Sequence, residues 1–157
     1  VIGFPLGATT TESKAAETRE AYENGCDEFD MVIPVGALKD GRTEYVLRDI
    51  RAVVEEAKGR ITKVIIEKGL LEEREKILAT ELACRAGASF VKTCTGMSAG
   101  EATEEDVRLI RAHISPGVKI KASAGIRTYE KAERLILAGA DRIGTSAGVA
   151  IMQGAGK

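Results

Sequence analysis

At three places along the chain a stretch with helical spacing stops at glycine, passes through small residues and becomes a short apolar run. The copies read Asn24-Gly25-Cys26-Asp27-Glu28-Phe29, Ala86-Gly87-Ala88-Ser89-Phe90-Val91 and Ala138-Gly139-Ala140-Asp141-Arg142-Ile143. Glycine fits the left-handed position that ends a helix, and the change from helical to alternating periodicity marks an α-to-β turn. Successive copies lie 62 and 52 residues apart, close to two βα units each. Between them the pattern predicts strands at Val1–Phe4, Glu28–Ile33, Lys63–Glu67, Phe90–Thr93, Val118–Ala122 and Arg142–Gly144. It predicts helices at Glu12–Asn24, Glu44–Lys58, Glu72–Ala86, Glu104–His113 and Tyr129–Ala138, with a short one from Ala147. Thr11, Thr43, Thr103 and Thr128 stand where side-chain caps open helices.

Strict β-α alternation implies a parallel sheet, either doubly wound or closed as a barrel. Strands of a doubly wound sheet meet helices on both faces and read nearly all apolar, whereas barrel strands turn one face to a lumen that is polar near its mouth. Here the strands alternate. Glu28 and Asp30 oppose Phe29, Met31 and Ile33; Lys63 and Glu67 oppose Val64 and Ile66; Lys119 and Lys121 oppose Val118 and Ile120. Neither G-x-G-x-x-G nor G-x-x-x-x-G-K-[ST] follows a strand, which weakens dinucleotide and P-loop readings. The expected fold class is α/β, a partial TIM (β/α) barrel with about six of eight units, over residues 1–157 as one domain.

Composition narrows the function classes. With 44% hydrophobic and 30% charged residues and no apolar run long enough for a membrane span, the chain reads as a soluble protein. Its net charge of −1 gives no basic face for nucleic acid or anionic lipid, so small molecules are the expected partners. The start, Val1-Ile2-Gly3-Phe4-Pro5, has no signal-peptide character, which predicts a cytoplasmic location. Cys26, Cys84 and Cys94 lack C-x-x-C spacing, so three reduced thiols and no zinc site are expected. The single histidine, His113, sits in a last helical turn where a partial positive charge suits the macrodipole, and nothing around it suggests a triad.

Asp30, Glu67, Lys92 and Lys121 fall at or near the C-terminal ends of four different strands, where barrel enzymes place catalytic groups. Unpaired charges inside a barrel cost several kcal/mol each, so two acids and two bases suggest mutual neutralisation around a site. Two lysines in a partly desolvated mouth have a specific use. Desolvation and a like charge both favour the free amine, which attacks aldehydes and ketones to form a Schiff base. A carboxylate such as Asp30 then moves protons, and no metal is required. Two loops, Ser123-Ala124-Gly125-Ile126-Arg127-Thr128 and Gly144-Thr145-Ser146-Ala147-Gly148, look like anion cradles, and Thr93-Cys94-Thr95-Gly96 is a third small-residue loop beside Lys92.

These residues resemble the motifs of the 2-deoxyribose-5-phosphate aldolases, in the family's order and along nearly the whole chain. The segments are Val1-Ile2-Gly3-Phe4-Pro5-Leu6-Gly7, Glu28-Phe29-Asp30-Met31-Val32-Ile33, Lys63-Val64-Ile65-Ile66-Glu67, Phe90-Val91-Lys92-Thr93-Cys94-Thr95-Gly96, residues 119–128 and Arg142-Ile143-Gly144-Thr145-Ser146. The resemblance implies a class I aldolase that cleaves 2-deoxyribose 5-phosphate without a cofactor, and it adds weight to homo-oligomerisation. It implies Lys92 as the Schiff-base lysine, Lys121 as the neighbour depressing its pKa, Asp30 as the proton-relay acid, and Gly96, Gly125, Gly144 and Ser146 as phosphate contacts. Departures from the family pattern are Pro34 for Asn, Lys68 for Thr, Cys94 for Ser and Ala124 for Gly. It also implies eight strands with Val1–Phe4 as the third, so two upstream βα units are expected to be lacking. Another Schiff-base sugar-phosphate aldolase, or an impaired sugar-phosphate-binding remnant, remains an alternative.

Overall fold

The computed structural model describes residues 1–98 and 100–155. Helices and strands alternate: α1 (Thr11–Glu23), β1 (Glu28–Val32), α2 (Val35–Lys39), α3 (Thr43–Glu56), β2 (Ile61–Ile65), a 3-10 turn (Lys68–Leu70) and α4 (Glu73–Arg85). They continue with β3 (Phe90–Lys92), α5 (Glu104–His113), β4 (Lys119–Ser123), α6 (Tyr129–Leu137), β5 (Arg142–Gly144) and α7 (Gly148–Gly154). The five strands form one parallel sheet in the order β1-β2-β3-β4-β5, with Asp30 opposite Lys63, Ile65 opposite Lys92 and Lys92 opposite Lys121. The side chains of Glu28 on β1 and Arg142 on β5 meet in an ion pair, so the sheet curls until its first and last strands face each other. That curvature is the barrel geometry expected from the alternating strands.

Alternation along the strands divides the residues as expected. Phe29, Met31, Ile33, Val64, Ile66, Val91, Ile120 and Ala122 point outward and pack with Val46, Ile50, Val53, Leu82, Val107, Ile110 and Leu135 of the helices in one core. Each of these side chains larger than alanine contributes roughly 1.5–3 kcal/mol by leaving water. Thr103 and Thr128 cap their helices, accepting from the N–H groups of Asp106 and Lys131. α1 is capped by Thr10, while Thr11 enters the helix and donates to Asp49 Oδ1 at 2.9 Å. Thr43 is likewise a helical residue of α3, whose preceding Arg42 makes no side-chain cap bond.

The expected strand at Val1–Phe4 shrinks to a single bridge, Ile2 to Met31. Ile2 exchanges two backbone hydrogen bonds with β1, and then Gly3 turns left-handed at φ +60° and ends the extended run. A Cβ at Gly3 would lie 2.7 Å from Lys14 Cε, so the lysine stem and the turn require each other. β2 ends at Ile65 instead of Glu67, because Glu67 adopts a left-handed backbone with φ 51°. Neither α2 nor the 3-10 turn is visible in the periodicity, since both are too short to establish one.

One ion pair anchors the first strand from behind. Lys14 and Asp49 are fully buried between α1 and α3, with Nζ 2.6 Å from Asp49 Oδ2 and 2.9 Å from the carbonyl of Val32 at the end of β1. Burial pushes the Lys14 pKa down, against the pull of Asp49. The pair fixes the end of the strand that carries Asp30.

Candidate active site

Three lysines converge on one carboxylate. Asp30, on β1, receives Lys63 Nζ on Oδ1 at 2.8 Å, and on Oδ2 both Lys92 Nζ at 2.6 Å and Lys121 Nζ at 2.8 Å. Each residue comes from a different strand, and the parallel register sets their inward faces side by side. Lys63 also pairs with Glu28 at 2.8 Å, and Glu28 with Arg142, so a second layer of charge lies beneath the first. These six side chains carry four cations and two anions, a net positive lumen suited to an anionic ligand.

Burial alone would raise the Asp30 pKa, yet hydrogen bonds from Lys121, Lys63 and Lys92 overcome it and hold the carboxyl well below the usual range. Burial is the largest influence on Lys92 and lowers its pKa. The hydrogen bond and charge of Asp30 oppose the shift, and the charges of Lys121 and Lys63 add to it. The result is a lysine eased toward its free amine beside a carboxylate that stays ionised.

Above this cluster opens a cleft of about 530 Å³ whose lining includes Lys92, Lys121, Gly96, Gly125, Gly144 and Ser146. Six of the seven residues that the resemblance assigns to the site thus share one cavity, and the seventh, Asp30, is bonded to two of its lysines. Gly144 has a steric reason: a Cβ there would sit 3.1 Å from Lys121 Cε and 3.0 Å from Ser123 Cβ. Gly125, at φ +70°, passes so close to Glu101 that a Cβ would lie 2.3 Å from its carboxyl carbon. Thr93 and Ser123 hold the neighbouring loops together, Thr93 Oγ1 donating to the Ser123 carbonyl at 3.0 Å and Ser123 Oγ to that of Cys94 at 2.7 Å. Among the described residues no cluster of three His, Cys, Asp or Glu side chains is arranged to hold a metal ion.

Residues 1–154 match the model of the DeoC/LacD family aldolases. This chain belongs to that family. It is 59% identical over 155 residues to a deoxyribose-phosphate aldolase of Geobacillus sp. (strain WCH70), covering 98% of this chain and 70% of that protein. A deoxyribose-phosphate aldolase of Thermococcus gammatolerans is 60% identical over 157 residues, again covering 70% of that protein. Among solved structures, a tetrameric deoxyribose phosphate aldolase from Aeropyrum pernix superposes with a TM-score of 0.89 at 35% identity, covering 97% of this chain and 64% of that one. The fold is therefore part of the TIM barrel of these DeoC aldolases.

Within the family frame, the structure rearranges the expected four-residue constellation. Glu67 lies outside the lysine cluster, since its left-handed backbone sends the carboxylate to Thr95 of the next loop. Lys63 takes its place as the third cation on Asp30. Its inward face was legible from strand alternation, but its partner depended on the register between β1 and β2. Arg127 also lines the cleft, carried there by the Gly125-Ile126-Arg127 turn. Lys68, one of the departures from the family pattern, faces neither cleft nor solvent: it is buried and pairs with Asp106 at 2.7 Å. Ala124 occupies a left-handed conformation at φ 81°, where glycine would be unstrained, at a cost of about 1 kcal/mol. Cys94 is buried, and burial pushes its thiol pKa up, away from reactivity.

Proposed function

We propose that this chain is a class I aldolase that reversibly cleaves 2-deoxy-D-ribose 5-phosphate to acetaldehyde and D-glyceraldehyde 3-phosphate. The observation carrying this reading is the Lys92–Asp30–Lys121 arrangement at the floor of a small-residue cleft. The Lys92 amine adds to the C1 aldehyde of the open-chain sugar, and loss of water gives a protonated imine. The C3 hydroxyl gives up its proton, the C2–C3 bond breaks, and its electron pair flows to the iminium nitrogen. Glyceraldehyde 3-phosphate leaves, the enamine takes a proton at C2, and hydrolysis frees acetaldehyde and restores Lys92. Asp30, ionised and bonded to both amines, relays protons through water, and the positive charge of Lys121 supports the free-amine form of Lys92.

In this reading the phosphate lies against the backbone of Gly96, Gly125 and Gly144, with Ser146 and Arg127 beside it in the same cleft. We further propose that the chain works as a homo-oligomer in the cytoplasm, as the tetrameric Aeropyrum pernix relative suggests for assembly. The test is release of acetaldehyde from 2-deoxyribose 5-phosphate by the purified chain, followed by coupled reduction. Turnover abolished by Lys92→Ala supports the assignment. Turnover that persists in that variant contradicts it.

A further inference from the structure

The loop from Thr93 to Thr103 brings Thr95 and Gly96 into the cleft, and both its ends are tied to two consecutive residues of the β2–α4 connection. Glu67 ties the first end: its carboxylate accepts the backbone N–H of Thr95 at 3.2 and 3.3 Å and also the Thr95 hydroxyl, which in turn accepts the N–H of Met97 at 3.0 Å. Lys68 ties both. Its N–H donates to the Thr93 carbonyl at 3.0 Å, and its ammonium pairs with Asp106, which also bonds Lys76 and the Thr103 hydroxyl at the start of α5.

Glu67 is an expensive residue in this position. It is 3% exposed, takes a left-handed backbone without being glycine, and among the described residues pairs with no cation. Burying a carboxylate costs several kcal/mol unless its partners are good, and backbone strain of this kind concentrates at functional sites. What that cost secures is the geometry of Thr95, which lines the cleft beside Lys92. We infer that Glu67 is a positioning residue: acting through Thr95, it sets the Thr95-Gly96 wall against which the phosphate end of the substrate is held. The inference rests on the aldolase reading of the cleft.

The experiment compares Glu67→Gln with the wild type on 2-deoxyribose 5-phosphate and on unphosphorylated 2-deoxyribose. Replacing a charge-assisted acceptor is expected to raise KM for the phosphorylated sugar by about tenfold or more, with kcat changed far less and with the preference for the phosphorylated sugar reduced in proportion. Thr95→Val, which removes the hydroxyl but not the N–H, should shift KM in the same direction and gives the same test if Glu67→Gln fails to fold. An unchanged KM in the folded variant, or equal losses on both sugars, overturns the positioning role. Absence of cleavage of either sugar by the wild type would instead overturn the aldolase reading itself.

Discussion

Replacing Lys121 by methionine isolates the electrostatic part of the site. Lys92 Nζ and Lys121 Nζ bond the same oxygen of Asp30, at 2.6 and 2.8 Å, so the two amines are close neighbours, no more than about 5.4 Å apart. Two unit charges at that distance repel by about 1 kcal/mol at the dielectric of water and about 3 kcal/mol at the effective value near a protein surface. Lys121 is mostly buried, with 17% of its side chain exposed, so the interaction lies between these limits. Removing it lets Lys92 hold its proton more tightly, and the freed Asp30 oxygen pulls in the same direction. At a fixed pH below the plateau, the free-amine fraction of Lys92 should fall by roughly fivefold to a hundredfold. The assay is the initial rate of acetaldehyde trapping by borohydride across a pH series, which isolates imine formation from later proton transfers. Methionine preserves the stem, so packing changes little. A pH profile superimposable on that of the wild type would refute the coupling of the two lysines.

Glu28 makes a prediction in acid: hydrogen bonds from Arg142 and Lys63 lower its pKa from 4.5 to about 2. Its stabilisation is complete above the ordinary carboxylate range and is lost as pH falls toward about 2, so Glu28→Gln should unfold less steeply over that interval; equal acid limbs in circular dichroism would contradict this. Gly125→Ala places a methyl 2.3 Å from the Glu101 carboxyl carbon at φ +70°, and is expected to cost more than about 1 kcal/mol in thermal unfolding and to raise KM for the phosphorylated sugar; an unaltered melting curve and KM would refute it. The 157-residue chain also ends its sheet at β5 beside an apolar groove of about 500 Å³, with Ile136, Leu137 and Met152 exposed. With that groove and sheet edge uncovered, the 157-residue chain should self-associate in sedimentation, and a monodisperse monomer at all concentrations would refute this.

The parallel sheet and its inward charges were legible because strand alternation survives in the sequence whatever the strand is paired with. Asp30 and Lys121 were legible for that reason, and Lys92 through its place at the end of a strand. Lys63 was equally visible as an inward charge, but its bond to Asp30 depends on the β1–β2 register, which a single sequence does not state. Val1–Phe4 looked extended until Gly3 turned left-handed, and Glu67 looked like a strand end until its own backbone did the same. Lys68 shows the limit most plainly. Its partner Asp106 sits on α5 and shares its carboxylate with Lys76 of α4, two helices that only packing brings together, so the burial of Lys68 has no local signature.

Reductive trapping at Lys92 tests the central claim most directly. Incubation with acetaldehyde and borohydride should add one ethyl group, about 28 Da, to the peptide that contains Lys92, because only a free amine forms the reducible imine. Of the three lysines on Asp30, the account predicts labelling at Lys92 before Lys63 or Lys121, and its loss in Lys92→Ala. Labelling first at another lysine, or undiminished labelling in that variant, would contradict the account.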